Sequence, residues 1–247
     1  MMRNFTLFFI LLLPSLLAAG EPLKLAIFDD NSYSRSREKL IAALERSKDF
    51  EFQKITAEQI RAGELKQPFA VLIAPGGSSS WQGNVLGEDG RAKVKQFVKD
   101  GGGYVGICAG AYLATCDYKW SLHILNAKVI DKQHWARGIA DLEVSLPEPG
   151  KQLLGESKDR LTLHYHQGPL LAPAENKELP AYQELARFET EVAKNGAPMG
   201  VMVGTSAIVS AEYGAGRVLC YSPHPEMTEG QDALLYAGIR WSTGTKK

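Results

Sequence analysis

Cysteine is scarce in this chain, with three residues in 247, far too few to staple a small disulfide scaffold. Charge imbalance is missing as well. Lys plus Arg and Asp plus Glu number 28 each, and neither sign gathers in a long block, so nothing marks the chain for nucleic acid or an anionic membrane surface. Internal repeats and low-complexity linkers are absent, which excludes solenoids and flexible tethers. No apolar run reaches the roughly 20 residues needed to cross a bilayer. The one that comes nearest, Phe5 to Leu17, follows Arg3 and ends at Ala18, Ala19 and Gly20. A basic start, an apolar middle and small residues form the layout of a secretory signal peptide. Residues 1–20 are therefore expected to be a removed leader. Residues 21–247 are expected to be one exported domain, periplasmic or extracellular, with no membrane span left.

Hydrophobic residues make up 45% of the chain, enough for a sizeable core. Leu23 to Phe28, Phe69 to Ala74, Gly103 to Ile107 and Gly216 to Ser222 are short, nearly continuous apolar runs that read as buried strands. Between and after them lie helix-spaced segments at Ser34 to Phe50, Glu88 to Asp100 and Gly230 to Trp241, and a further short strand at Phe52 to Ile55. That alternation predicts an α/β fold with a mostly parallel central sheet flanked by helices. The second half alternates polar and apolar residues at Ile139 to Leu146, Arg160 to His166, Glu184 to Thr190 and Met199 to Val209. These segments predict antiparallel additions to the sheet.

Gly106-Ile107-Cys108-Ala109-Gly110 follows one of the buried strands and precedes an apolar stretch. A nucleophile between glycines at a strand-to-helix junction forms a sharp elbow. The helix N-terminus beyond it favours thiolate over thiol. His224-Pro225-Glu226 follows another buried strand. A cysteine nucleophile needs a base within reach, and the base needs a third group to orient it. Loops at the carboxyl ends of strands converge on one edge of an open α/β sheet, so Cys108 and His224 are expected to meet, with Glu226 behind the imidazole. Gly76 and Gly77, also after a strand, are expected to share with Ala109 the N–H groups of an oxyanion hole.

Other residues invite a plainer reading. His164 and His166 flank Tyr165 on one face of a predicted strand, but no third ligand follows by spacing, so no metal or other cofactor is expected. Trp120, His134 and Trp135 read as packing or as an aromatic wall, and Asp29 and Asp30 as turn residues. Cys116 and Cys220 are each displaced from the active edge by roughly 12–13 Å along a helix and a strand, and export would permit a disulfide between them.

The Gly-Gly, G-x-C-x-G and H-P-E elements, in this order and spread over most of the chain, resemble the class I glutamine amidotransferase superfamily. The wording around Cys108 to Tyr112 is closest to domains similar to the N-terminal part of biotin–protein ligases. The resemblance implies a flavodoxin-like sheet of the glutamine amidotransferase type and a Cys108–His224–Glu226 triad. It also implies a pocket that includes Tyr112, His166 and Gln167. Glutamine-using members usually carry Gln where this chain has Tyr112, and no separate synthase domain is present to receive ammonia. The expected function is a cysteine-dependent hydrolase of a small-molecule or peptide amide, γ-glutamyl-like or otherwise. γ-Glutamyl hydrolases share the fold and can work outside the cytoplasm. A non-enzymatic binding module and an amidotransferase subunit are the alternatives.

Overall fold

A computed structural model describes residues 21–244; the expected leader, residues 1–20, lies outside the described residues. The chain opens with β1 (Leu23–Asp29), α1 (Arg35–Glu45), β2 (Phe50–Thr56), α2 (Ala57–Arg61) and β3 (Val71–Ala74). It continues with α3 (Ser79–Lys99), β4 (Gly103–Ile107), α4 (Ala109–Ala114), β5 (Ala127–Ile130) and β6 (Ile139–Ser145). The remainder comprises α5 (Glu148–Leu154), β7 (Arg160–His166), β8 (Leu170–Pro173), β9 (Gln183–Phe188), β10 (Ser206–Tyr213), β11 (Gly216–Tyr221) and α6 (Asp232–Ser242).

The strands form an eleven-stranded sheet in the order β2-β1-β3-β4-β11-β10-β9-β6-β7, with β5 and β8 joined to it beside β10. From β2 to β11 every neighbour is parallel, and from β11 onward every pairing is antiparallel. The parallel half is covered on both faces because its strands alternate between two apolar clusters. Leu25, Ile27, Val71 and Ile73 face α1 and α6, whereas Ala26, Phe28, Leu72 and Ala74 face α2, α3 and α4. Each fully buried Leu, Ile or Phe contributes about 1.5–3 kcal/mol, so these paired faces rather than helix propensity hold the layers together.

Several differences from the sequence reading have local causes. The expected helix from Glu88 begins earlier, at Ser79, and is bent at Gly87, whose φ is 63°. β10 starts at Ser206 rather than near Met199, because Gly200 and Gly204 turn the intervening chain at φ 79° and 82°. Cys116 and Cys220 are not joined, and all three cysteines are free. The expected disulfide required Cys116 to lie on a helix, but α4 stops after six residues and Thr115 is extended. Cys116 instead approaches the Ala127 carbonyl, while Cys220 is sealed in the α3–α4 side of the core. Among the described residues no helix is long and apolar enough to cross a membrane.

Candidate functional site

The order β2-β1-β3-β4 places a topological switch between β1 and β3, where ligand crevices form outside the carboxyl ends of strands. Four loops meet there. Ser34 to Ser36 follow β1, Gly76 and Gly77 follow β3, Cys108 follows β4, and His224 follows β11; together they line a cleft of about 580 Å³. The volume falls within the roughly 300–1,000 Å³ typical of small-molecule sites.

Cys108 sits at φ 50°, ψ −98°, a backbone conformation that side-chain-bearing residues rarely adopt. The glycines on either side make this turn possible. A Cβ on Gly106 would lie 2.5 Å from the Gly110 carbonyl oxygen, and one on Gly110 would lie 2.0 Å from that of Ala74. Cys108 N–H is pinned to the Tyr221 carbonyl at 2.8 Å, so β4 and β11 fix the elbow jointly. The thiol is mostly buried and donates to the His166 carbonyl at 3.3 Å.

His224 and Glu226 are both buried, and His224 Nδ1 lies 2.7 Å from Glu226 Oε1. A carboxylate only accepts, so Nδ1 carries the proton and Nε2 is left to face the cleft. Nε2 is buried and makes no hydrogen bond among the described residues. His224 is held by its backbone as well, its N–H donating to the His164 carbonyl at 2.7 Å.

Ser36 extends this arrangement. Its hydroxyl donates to Glu226 Oε1 at 2.7 Å and accepts from Gly76 N–H at 2.8 Å. Gly76 itself presses on the imidazole, since a Cβ there would lie 2.8 Å from His224 Cε1. The expected oxyanion donor at Gly76 is therefore corrected: its N–H is spent on Ser36, and its contribution is close approach. Gly77 N–H makes no hydrogen bond among the described residues, and Ala109, as the first residue of α4, has no intrahelical partner for its own.

Residues 25–140, just under half of the chain, match the family model for the N-terminal part of biotin–protein ligase. A crystal structure of a glutamine amidotransferase superposes with a TM-score of 0.62 at 19% identity, over 90% of this chain and 99% of that one. A ThuA-like protein from Parabacteroides merdae superposes with a TM-score of 0.63 at 14% identity, over 92% of each chain. The fold is that of the class I glutamine amidotransferases. The same amidotransferase-like architecture occurs within the β-galactosidase of Bacillus circulans, where this chain covers 32% of the larger protein with a TM-score of 0.52, so the fold alone names no reaction. An uncharacterized protein of Chlamydia muridarum is 38% identical over 50 residues, 20% of this chain. The matched stretch covers about a fifth of that relative's length (19%).

Tyr112, His166 and Gln167 all reach the lining of the cleft. Tyr112 Oη donates to the Gln167 carbonyl at 3.3 Å, and Gln167 is held at φ 59°. Trp120 and Trp135 line the cleft with Tyr118, which stacks on Trp120 at 4.4 Å between centroids. His134 does not join them; it pairs with Asp131. His164 stands near His166 and His224, but no group of three ligating side chains among the described residues could hold a metal ion. Tyr118 and Ser36 escaped the sequence reading. Ser36 could have been found only from its place after β1, next to the switch point.

Burial alone would lower the His224 pKa, but the Glu226 carboxylate and then the Cys108 sulfur outweigh it and hold the imidazole well above 6.5. His166 moves the other way, lowered by burial and then by His224, His164 and Arg35. A folded-state value above the unfolded one means that protonated His224 contributes stability fully present below about pH 6.5 and lost as pH rises through the raised folded value. Side-chain nitrogen NMR on the native protein should find the His224 imidazole still charged above pH 6.5. Glu226→Gln, which removes the leading stabilising charge, should bring its titration down. An imidazole already neutral at pH 6.5 in the unaltered protein would contradict this balance.

Proposed function

We propose that this chain is an exported cysteine-dependent amide hydrolase that acts through a thioester on Cys108, with γ-glutamyl-like or peptide amides as substrates. The observation that carries the reading is the buried, unpartnered Nε2 of His224, turned to the cleft with its Nδ1 fixed on Glu226. Leaving such a nitrogen buried without a partner costs free energy, and it is placed as a base for a thiol proton. Cys108 gives its proton to Nε2 before substrate arrives, forming a thiolate–imidazolium pair, and the thiolate sulfur then bonds to the amide carbonyl carbon. The resulting oxyanion takes donors from Gly77 and Ala109. Collapse breaks the C–N bond, and the imidazolium returns its proton to the leaving amine. Water, deprotonated by His224, then cleaves the thioester and restores the thiol.

The leader-like pattern of residues 1–20 supports export, with residues 21–247 as the working domain. One observation favours the alternative of a binding module, because the Cys108 sulfur lies within hydrogen-bond distance of the His166 carbonyl, 3.3 Å away. Catalytic hydrogen bonds often tighten only when substrate arrives, so this geometry is compatible with either.

The test is a panel of γ-glutamyl and peptide anilides, with free glutamine alongside. Aniline release from at least one anilide, abolished by Cys108→Ala, is expected, with no useful ammonia release from glutamine because Tyr112 stands where glutamine users carry Gln. Binding without turnover, unchanged in Cys108→Ala, would favour the binding module. Robust glutaminase activity would overturn the substrate assignment.

A further inference from the structure

The cleft is chemically lopsided. No Asp or Glu is among its lining residues, and Arg35 opens into it with no hydrogen bond or ion pair to its guanidinium among the described residues. The neighbouring arginine behaves differently. Arg37, two positions on, is neutralised by Asp29 and Asp30 at 3.2 Å. Of the other basic side chains of the lining, His224 is paired with Glu226 at 2.7 Å, and Lys132 is held by Asp117 at 2.8 Å and lies 5.1 Å from the centre of the Tyr118 ring. Arg35 is thus the uncompensated positive charge of the cleft, and its field is felt at His166.

Two further features sit beside it. Ser79 and Ser80 line the cleft from the start of α3, after β3, which pairs directly with the β1 strand that precedes Arg35. Their hydroxyls are without partners among the described residues, whereas Ser34 and Ser36 are spent on Gly76 and Glu226. The second feature is apolar. Tyr118 and Trp120 stack with an interplanar angle of 10° and remain partly open to the cleft. A pre-stacked pair of rings presents a flat face at little entropic cost.

We propose that Arg35 is the specificity-determining residue of the cleft, seating the carboxylate of an acidic amide whose flat apolar portion lies on the Tyr118–Trp120 pair. This rests on the hydrolase reading for the bond that is cut, but the binding it describes needs no reactive thiol. Arginine suits the role because its planar fork matches a carboxylate in two parallel hydrogen bonds. The free serine hydroxyls supply the remaining donors.

The test uses the full chain and three inert probes: 3-phenylpropionate, its neutral counterpart 3-phenylpropan-1-ol, and acetate. Because Arg35 is exposed, calorimetry should give a moderate preference, with phenylpropionate bound about fivefold or more tighter than the alcohol. Acetate, lacking the ring, should bind weakest. Arg35→Gln should erase the advantage of the acid while leaving the alcohol unchanged, Arg35→Lys should keep part of it, and raised salt should shrink it. Equal binding of acid and alcohol, or full discrimination by Arg35→Gln, would overturn the proposal. Inertness of Cys108 toward alkylation would defeat the hydrolase reading without altering these binding ratios, so the two can fail separately.

Discussion

Cys108→Ala should reduce amide hydrolysis by a factor on the order of 10⁴ or more while leaving the domain folded, since removing a nucleophile removes the covalent route and little else. The side chain is mostly buried, yet it makes only one weak hydrogen bond, to the His166 carbonyl. Losing it costs one sulfur's worth of packing and no buried partner of its own charge. The backbone at this position matters more to stability than the sulfur does. A residue held at φ 50°, ψ −98° stores about 1–3 kcal/mol of strain, and alanine keeps that strain because it keeps a Cβ. Cys108→Gly relieves it and gives back about 0.4–1 kcal/mol in unfolded-chain entropy. The glycine variant should therefore be the more stable of the two by about 1 kcal/mol, as read by urea denaturation, and equally inactive. A cysteine that could be replaced by alanine with most of the hydrolysis retained would remove it from the chemistry.

Gly110→Ala should be among the most destabilising single-methyl changes in the chain. The added Cβ would lie 2.0 Å from the Ala74 carbonyl oxygen and 2.8 Å from its carbon. Neither atom is the end of a flexible side chain; both belong to the backbone at the carboxyl end of β3. Overpacking costs typically about 1–3 kcal/mol and more where the backbone must move, so a loss of about 3 kcal/mol is expected. Alanine's better helix propensity, about 1 kcal/mol, is too small to offset it. Gly76→Ala should do less to stability but more to function, because its Cβ would lie 2.8 Å from His224 Cε1 and 2.9 Å from Ser36 Cβ and must push the imidazole off Glu226. Gly63→Ala is the control: nothing lies within 4 Å of the added carbon, and only the strain of φ 84° remains. If Gly110→Ala and Gly63→Ala proved equally stable, the close approach of α4 to β3 would be wrong.

Much of this architecture is legible in the sequence, and the reason is burial. β1, β3, β4 and β11 are covered on both faces, so each appears as a continuous apolar run, and β4 is read at its true limits of Gly103 and Ile107. β5 and β8 are four residues each, too short for any period to declare itself. The meeting of Cys108 with His224 and Glu226 follows from a topological rule and needs no side-chain detail. Ser36 does not follow, because its link to Glu226 spans 190 residues and rests on one hydroxyl among several in the same loop. Gly76 belongs to the site for a different reason from the one its sequence suggests. Its value there is the absence of a Cβ against His224, which only coordinates reveal. The helix dipole beyond Cys108 also counts for less than the sequence implies, since α4 has only six residues. His224, whose pKa is raised above the usual histidine range because Glu226 outweighs burial, is the cation that the site sets beside the sulfur.

The triad is best probed by the order in which the three cysteines of the native protein react with iodoacetamide at neutral pH, followed by peptide mapping. Exposure alone favours Cys116, the only one of the three that is not buried. Its thiol pKa, however, is raised by burial and then by the Asp117 charge, and that of Cys220 is raised by complete burial, which leaves both as poor nucleophiles. Cys108 should be modified first, and His224→Ala should slow the reaction by removing the cation beside the sulfur. Modification that falls first on Cys116, with Cys108 inert until the protein unfolds, would show that the triad does not activate this thiol.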